Sequence, residues 1–514
     1  METRGIYDNL SPLDHRYWKA NKDIFDALSA RLSEKAQVRH CALVEAALLC
    51  THLELRGLGS EALYAEIERS ALSVDPEEVY AEEERTRHNI RALVNVLQRK
   101  LPPELAPFVH LGATSADILD TARALALREA AREVLLPLLA ELEIALCDLA
   151  LAEAETPQVG RTHGQHAVPL TFGFAMAEYA SRLGKSILRA DELAGDLRGK
   201  LAGAVGAYNA LSLSYPDPEE VERRFLARLG LEASEHSTQL VEPEYGLRLL
   251  LELDVAFGVI ANLADDLRNL QRTEIGEVRE SFAEGQVGSS TMPQKRNPWN
   301  SEHVKSLWKA FYPRAMTFFM DQISEHQRDL TNSASERFVP EFFAGLAAAA
   351  GRMLSVLRGL KVDRERMAAN LRLTGGSVMA EPAYILLAES GRPDAHELLR
   401  RITLAAEREH LPLHEALERD GEAMAAVTSR LAALGVADAA GFFASPERYR
   451  GRAAEKARAI GSKYRKLAAA VAARGGRGAA ASGGAAARER EGGARREGSA
   501  PDAGIAGSAG IAGG

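Results

Sequence analysis

The chain has 514 residues, 46% of them hydrophobic and 26% charged, which is typical of a globular protein with two or three domains. Its formal net charge of -9 argues against general nucleic-acid binding. Because the sequence has no apolar run of about eighteen residues and no signal-peptide layout at its N-terminus, we expect a cytoplasmic protein without a membrane span.

The cysteines and histidines do not have the sequence spacings of metal-binding motifs. The three cysteines, Cys41, Cys50 and Cys147, follow neither metal-ligand nor disulfide patterns, and we expect them to be buried packing thiols. His410 and His414 stand four residues apart, but a proline between them breaks the helical face that a metal pair would use. The sequence therefore gives no support for a metal or another cofactor.

The N-terminal part predicts turns followed by helices. Turn-forming residues surround Arg16 and Tyr17, a pair that is either a surface cap on the first helix or part of a site. Residues 22–57 predict a helix. Residues 75–99 predict another, because they open with Asp-Pro. Charged runs like the one in this second helix are usually solvated faces; this run ends in Arg87, His88 and Asn89.

The next polar set lies at a predicted helix start. Thr114 and Ser115 belong to a Thr-Ser-x-Asp sequence directly ahead of a helical pattern that continues to about residue 155. The set is either a plain N-cap or a site for a carboxylate or phosphate, because helix starts expose N–H groups.

A dense polar turn then interrupts the helices at residues 159–173. His163 lies in this turn, and strand-like alternation is almost absent from the rest of the chain. A single histidine is often structural. If the turn faces a cleft, however, His163 is placed where a proton donor would be needed.

Residues 246–280 predict a helix of about 35 residues, about 50 Å long. A helix of this length predicts an elongated bundle whose spare apolar seams associate with other subunits. The apolar residues of the predicted seam recur at alternating intervals of four and three residues. They are Leu249, Leu253, Ala256, Ile260, Leu263, Leu267 and Leu270.

Residues 285–298 form the most informative stretch, which we call the signature loop. Glycines and prolines exclude a helix there, and the loop concentrates hydroxyls with a lysine and an asparagine. The alternative is an ordinary polar linker. We favour a loop that encloses an anionic substrate; its polar residues include Ser289, Lys295 and Asn297.

Pro298 predicts the start of a helix that reaches Arg328. Arg328, Ser333 and Arg337 then belong to a polar stretch. This stretch is either a connection between helices or a cluster of forked donors suited to carboxylate or phosphate. Helical patterns continue to about residue 473, with breaks at Gly375-Gly376 and Pro393. From residue 474 the Gly, Ala, Ser and Arg composition predicts a disordered tail.

These polar stretches resemble motifs of a known enzyme superfamily. Residues 288–298 (GSSTMPQKRNP) resemble the signature loop of the fumarase/aspartase/argininosuccinate lyase superfamily. Within it, the sequences around Arg16, Arg87, Thr114, His163, Gln239 and Arg328 to Arg337 are similar to the adenylosuccinate lyase family. The resemblance runs in order from about residue 6 to about residue 465.

The resemblance implies an all-α, three-part fumarase/aspartase-like fold with a long central helical bundle. We place an N-terminal helical domain at residues 1–112, the central bundle at 113–365, a C-terminal helical domain at 366–473 and the tail at 474–514. The resemblance also implies a homotetramer whose active sites are shared between subunits. From the charge and the absence of an apolar run we expect no nucleic-acid or membrane partner.

The implied reaction is β-elimination of fumarate from adenylosuccinate, giving AMP, and from succinyl-aminoimidazole-carboxamide ribotide, in purine biosynthesis. Ser289 matches the family's base and His163 its general acid, while Lys295 and Asn297 would hold the developing charge. The residues that match positions holding the nucleotide and succinyl groups are Arg16, Tyr17, Arg87, His88, Asn89, Thr114, Ser115, Gln239, Arg328, Ser333 and Arg337.

Several positions depart from the family pattern. Asn89 stands where aspartate is usual, Gln294 where histidine is common, and His303 where some branches carry arginine. The alternatives are another lyase or cycloisomerase of the superfamily, similar to argininosuccinate lyase or carboxymuconate cycloisomerase, and a catalytically silent structural homologue. The silent homologue is disfavoured because packing a bundle does not require four residues that occur together here, namely Ser289, Lys295, Asn297 and His163.

Overall fold

The computed structural model describes residues 5–282, 285 and 288–492, with side chains up to residue 474. This part of the chain contains twenty-one α-helices and six short β-strands, and the strands form three separate pairs. The predicted all-α class is confirmed. Within the described residues, no helix is both long enough and apolar enough to cross a membrane.

In chain order the helices are α1 (Arg16–Ala20), α2 (Lys22–Leu32), α3 (Glu34–Leu55), α4 (Glu61–Leu72), α5 (Pro76–Thr86), α6 (Asn89–Lys100), α7 (Ser115–Glu129), α8 (Leu136–Ala152), α9 (Phe172–Gly195), α10 (Pro218–Arg228), α11 (Glu244–Leu270), α12 (Trp299–Phe311), α13 (Arg314–Asp321), α14 (Val339–Gly359), α15 (Arg364–Arg372), α16 (Ala380–Glu389), α17 (Ala395–Glu409), α18 (Leu413–Arg419), α19 (Gly421–Ala433), α20 (Ala439–Ala444) and α21 (Ala453–Gly492). The strands are β1 (Pro157–Thr162), β2 (Gln165–Thr171), β3 (Arg198–Gly199), β4 (Glu232–Ala233), β5 (Val278–Arg279) and β6 (Lys361–Val362). A π-helical segment, Ala130–Leu135, joins α7 to α8.

Three of the predicted helices are interrupted. The helix predicted over residues 22–57 is α2 followed by α3, because Ser33 takes an extended conformation and caps α3. The helix predicted over residues 75–99 is α5 followed by α6, because Arg87 takes a left-handed φ of 55° and ends α5. His88 then caps α6 by accepting the N–H of Arg91 at its Nδ1. The helix predicted from Pro298 to Arg328 is α12 followed by α13, with the break at Pro313, whose ring is incompatible with a continuous helix.

The predicted long helix is α11, which has 27 residues and therefore spans about 40 Å. It ends before residue 280, at Leu270, and a turn with Gly276 at a φ of 65° follows. Seam residues such as Leu253 and Ile260 are buried inside the protomer, so this seam is not spare. Exposed apolar side chains lie instead on and just beyond α13, at Met316, Phe319, Met320 and Ile323.

The central helices α8, α9, α11 and α14 share one core with the N-terminal helices and with the start of α21. Close packing explains part of this arrangement. A side chain at Gly184 of α9 would begin 2.3 Å from the ring of Tyr464, so only glycine allows α21 to approach this closely. The first part of α21, predicted within the C-terminal domain at 366–473, thus packs on the central bundle.

A second, smaller core is formed mainly by residues 371–443. The predicted breaks at Gly375-Gly376 and Pro393 lie between helices there, and both glycines take positive φ. The structure continues α21 to Gly492, whereas the composition predicts disorder from residue 474. Residues 493–514 lie outside the described residues, and disorder there stays a prediction.

Candidate active site

A buried ion pair fixes the N-terminus of α7. Thr114 caps the helix and forms a capping box with Asp117, whose Oδ2 accepts the N–H of Thr114 at 2.7 Å. Oδ1 of Asp117 accepts Nζ of Lys200 and the N–H of Ala202, and both side chains of the pair are fully buried. Buried charges persist when they are paired and hydrogen-bonded. The Thr114 and Ser115 end of α7 is therefore held rigidly.

An open cleft lies over this helix end, which we call the α7 cleft. Its volume is about 2170 Å³ including the mouth. Seven residues predicted from the sequence line it, and they come from four separate stretches of the chain. They are His88, Asn89, Thr114, Ser115, Gln239, Ser333 and Arg337. The fold therefore brings together most of the predicted binding residues within a single chain.

Charges of both signs line the α7 cleft. Nη1 of Arg337 lies 3.3 Å from Oε1 of Glu34, and Arg123 pairs with Glu336. Burial raises the pKa of Asp120, another lining residue, to about 6. Helix N-termini favour anions through their free N–H groups and dipole. The start of α7 and the Arg337 guanidinium are therefore chemically suited to a phosphate or carboxylate.

Three of the predicted binding arginines lie outside the α7 cleft. Arg16 and Arg87 are exposed, at the start of α1 and at the junction between α5 and α6. Arg328 lines an adjoining pocket that shares Asp120 and Arg123 with the cleft. Its Nη2 donates to the carbonyl of residue 321 at 2.9 Å, and its φ is 101°, a strained value for a non-glycine residue.

Tyr17 lies near the end of the signature loop instead of in the α7 cleft. Its hydroxyl is 2.9 Å from Nε2 of His303 on α12. Burial, and then the nearby Arg352 guanidinium, lowers the pKa of His303. Burial raises the pKa of Tyr17. His303, noted in the sequence as a departure from the family pattern, is thus a direct partner of a predicted site residue.

His163 lies at the tip of a β-hairpin. Strands β1 and β2 pair antiparallel, and His163 and Gly164 form the turn with φ values of 55° and 73°. Two residues with positive φ fit the tight turns that connect such strands. The polar turn predicted at a helix junction is therefore a hairpin that presents His163 to solvent.

A buried carboxylate anchors this hairpin. Glu277 is fully buried and accepts hydrogen bonds from both terminal nitrogens of Arg161, at 2.5 and 3.2 Å. Gln158 and Asn370 also donate to it, at 2.7 and 2.9 Å. Because four donors surround one carboxylate, the base of the hairpin is fixed while its tip stays exposed.

Within the described part of the signature loop, side chains bond to the loop's own backbone. Oγ of Ser289 accepts the N–H of Met292 at 3.2 Å, and Nδ2 of Asn297 donates to the carbonyl of Gly288 at 3.2 Å. A side chain at Gly288 would begin 2.2 Å from the carbonyl oxygen of Lys295, so glycine is required there. The Lys295 side chain is exposed.

The α7 cleft, the hairpin tip and the signature loop are separate within one chain. Among the described residues, no hydrogen bond or ion pair joins His163 to the loop or to the cleft. Sequence reasoning also missed two groups that hold these parts, namely Lys200 behind the cleft and Glu277 under the hairpin. In the sequence these residues look like ordinary surface charges, and only their burial and partners reveal their roles.

Models of two protein families match the chain. The lyase family matches residues 15–309, and the adenylosuccinate lyase C-terminal family matches residues 324–438. The first match covers more than half of the chain and contains the hairpin, the start of α7 and the signature loop. The second covers most of the smaller core.

Individual proteins agree with these matches. The chain is 36% identical over 450 residues to adenylosuccinate lyase from Pyrococcus abyssi, covering 86% of this chain and 95% of that protein. It is 37% identical over 426 residues to adenylosuccinate lyase from Pyrococcus horikoshii, covering 82% and 92%.

A solved structure shows the wider relationship. The 3-carboxy-cis,cis-muconate lactonizing enzyme from Pseudomonas putida superposes with a TM-score of 0.72 at 28% identity, covering 89% of this chain and all of that one. The predicted fumarase-like fold and the predicted family are therefore confirmed. The chain belongs to the adenylosuccinate lyase family of the fumarase superfamily.

Proposed function

We propose that the protein is a carbon-nitrogen lyase that eliminates fumarate from adenylosuccinate, giving AMP, and from succinyl-aminoimidazole-carboxamide ribotide in purine biosynthesis. The observation that carries this proposal is the α7 cleft. It combines a helix N-terminus, the hydroxyls of Thr114 and Ser115, and Arg337. These groups suit a substrate that carries both a phosphate and carboxylates.

The proposed chemistry begins with proton removal by Ser289. The base takes the proton from the succinyl carbon next to a carboxylate, and the electron pair moves into that carboxylate. A serine hydroxyl is too weak an acid to do this unaided, so Lys295 must stabilise its alkoxide. The resulting dianion needs fixed donors, which Lys295 and Asn297 supply.

The second step breaks the bond between carbon and nitrogen. The electron pair returns from the dianion to form the double bond of fumarate, and the electrons of the broken bond go to the amine nitrogen. His163 donates the proton that this nitrogen requires. The exposed hairpin tip is compatible with such a role, because a proton donor has to reach the substrate.

We propose that each active site combines residues from several copies of the chain in a homotetramer. Two observations support this proposal. The predicted catalytic residues are apart from the α7 cleft within one chain, and α13 carries an exposed apolar stripe at helical spacing that includes Met316 and Met320. Exposed apolar stripes of this kind are typical of interfaces between subunits. A cytoplasmic location is proposed as well, since Cys41 and Cys147 are free thiols.

A direct assay tests the reaction. Purified protein is mixed with adenylosuccinate, and fumarate and AMP are followed together. Formation of equal amounts of both supports the proposal. Argininosuccinate and carboxymuconate serve as rival substrates, since they lack the nucleotide phosphate. Turnover of either rival without turnover of adenylosuccinate would contradict the proposed substrate.

A further inference from the structure

One carboxylate, that of Glu280, closes the base of the signature loop. Its Oε2 accepts the N–H and the Nδ2 of Asn300, at 3.2 and 2.9 Å. Its Oε1 accepts the N–H and the hydroxyl of Ser301, at 2.8 and 2.6 Å. Glu280 precedes the loop, while Asn300 and Ser301 follow it. The carboxylate therefore ties the two ends of the loop together.

The geometry makes this connection strong. Asn300 and Ser301 belong to the first turn of α12, where N–H groups have no partner within the helix. An anion at this position is favoured by the helix dipole as well as by hydrogen bonding. Ser301 is buried, and hydrogen bonds to a charged acceptor are about twice as strong as neutral ones.

The partners of Glu280 are themselves fixed. Oε1 of Gln271 accepts the N–H of Glu280 at 2.8 Å, while its Nε2 donates to the carbonyl of Arg296 at 3.2 Å. Oδ1 of Asn300 accepts Nη1 of Arg352 from α14 at 2.8 Å. The pairing of β5 with β6 holds the segment just before Glu280 against the same part of the fold. Both ends of the loop are thus connected to the core.

The hydrogen bonds of Glu280 hold residues that are close in sequence to the predicted catalytic residues. Asn297 is three residues before Asn300, and its amide bonds across the loop to Gly288. The Arg296 guanidinium lies 5.3 Å above the Phe282 ring. A shift at the start of α12 would therefore be passed along a short stretch of chain to the groups that hold the developing charge.

We propose that Glu280 is a positioning residue that fixes Lys295 and Asn297 for the elimination, an inference that rests on the proposed function of the loop. Glu280 contacts no substrate in this role. It determines where α12 starts and so where the loop places its donors. Misplacement of a catalytic group by about 1 Å can reduce a rate by about a hundredfold.

Glu280→Gln tests the proposal, because it keeps the size of the side chain but replaces one acceptor oxygen with an NH₂ group that cannot accept from Asn300 or Ser301. We expect kcat to fall at least about tenfold while KM changes less than about threefold. We also expect trypsin to cleave after Lys295 and Arg296 about ten times faster, because the loop opens more often. Glu274→Gln is the matched control, because Glu274 is an exposed glutamate between α11 and β5. It should change neither kcat nor the rate of trypsin cleavage.

The trypsin measurement needs no substrate, so it separates two failures. If the wild-type protein does not convert adenylosuccinate, the proposed function fails. Trypsin cleavage of the loop still tests whether Glu280 holds the two ends of the loop together. If Glu280→Gln leaves loop cleavage within about twofold of wild type, the proposal is overturned. Should this variant fail to fold by circular dichroism, Ser301→Ala removes one of the four bonds and must give a smaller change in the same direction. An unchanged cleavage rate in folded Ser301→Ala would also overturn it.

Discussion

The α7 cleft and the signature loop carry two halves of the predicted chemistry, and they are built in different ways. At the cleft, the fully buried Asp117 and Lys200 pair holds the helix start from behind. In the loop, Lys295 is exposed and Ser289 bonds to the N–H groups of its own loop. Most of the predicted binding residues are thus gathered within one chain, whereas the predicted catalytic residues lie on exposed segments.

This difference separates two kinds of variant. Changes in the loop or at the hairpin tip should act on the chemical step and leave the fold intact. Changes behind the cleft should act on stability, and changes on its surface should act on substrate binding. The following predictions test this separation from the largest expected effect to the smallest.

Ser289→Ala and His163→Ala should each lower kcat by about 10²–10⁴-fold, because each removes a proposed proton-transfer group. Neither side chain is buried, so the melting temperature should stay within about 2 °C of the wild-type value. Steady-state kinetics with adenylosuccinate and thermal unfolding provide the two measurements. A variant with near-normal kcat would remove that residue from its proposed role.

Lys200→Met should destabilise the protein by about 3–5 kcal/mol, because it leaves the fully buried Asp117 carboxylate without its partner charge. Chemical denaturation measures the loss. The double variant Lys200→Met with Asp117→Asn removes both charges and should recover part of the stability. Equal stability of the single variant and the wild type would mean that the pair does not hold the cleft.

Arg337→Gln should raise KM for adenylosuccinate about tenfold with little change in kcat, because it removes a charged donor from the cleft surface. Arg337 is exposed and its partner is Glu34, so stability should not change measurably. Arg358→Gln, at an exposed ion pair on α14, is the matched control. A fall in kcat at constant KM would place Arg337 in the chemical step instead.

Sequence reasoning found the cleft residues but not what supports them. Thr114, Ser115 and Arg337 carry chemistry that is visible in their side chains and local patterns. Lys200 and Glu277 act through burial and distant partners, and Glu280 acts through partners beyond the loop. A local sequence pattern contains neither burial nor such partners. The helix break at Arg87 was missed for the same reason, since a left-handed residue within a charged helical pattern leaves no proline or glycine signal.

The seam of α11 shows a second limit. The spacing of Leu253, Ile260 and their neighbours correctly predicted a long helix with an apolar face. Whether that face is covered within the chain or by another copy depends on tertiary packing. The structure buries it inside the protomer and leaves the stripe on α13 exposed instead.

Mixed oligomers provide the most direct test of the central claim that each active site combines cleft, hairpin and loop from different copies. Ser289→Ala and His163→Ala chains, each nearly inactive, are co-expressed with different tags, and oligomers carrying both tags are purified. Because some sites then receive both intact residues, about a quarter of wild-type activity should return if the chains assemble at random in equal amounts. If mixed oligomers form and show no more activity than either variant alone, His163 and Ser289 of one site come from the same chain, and the account of shared sites is contradicted.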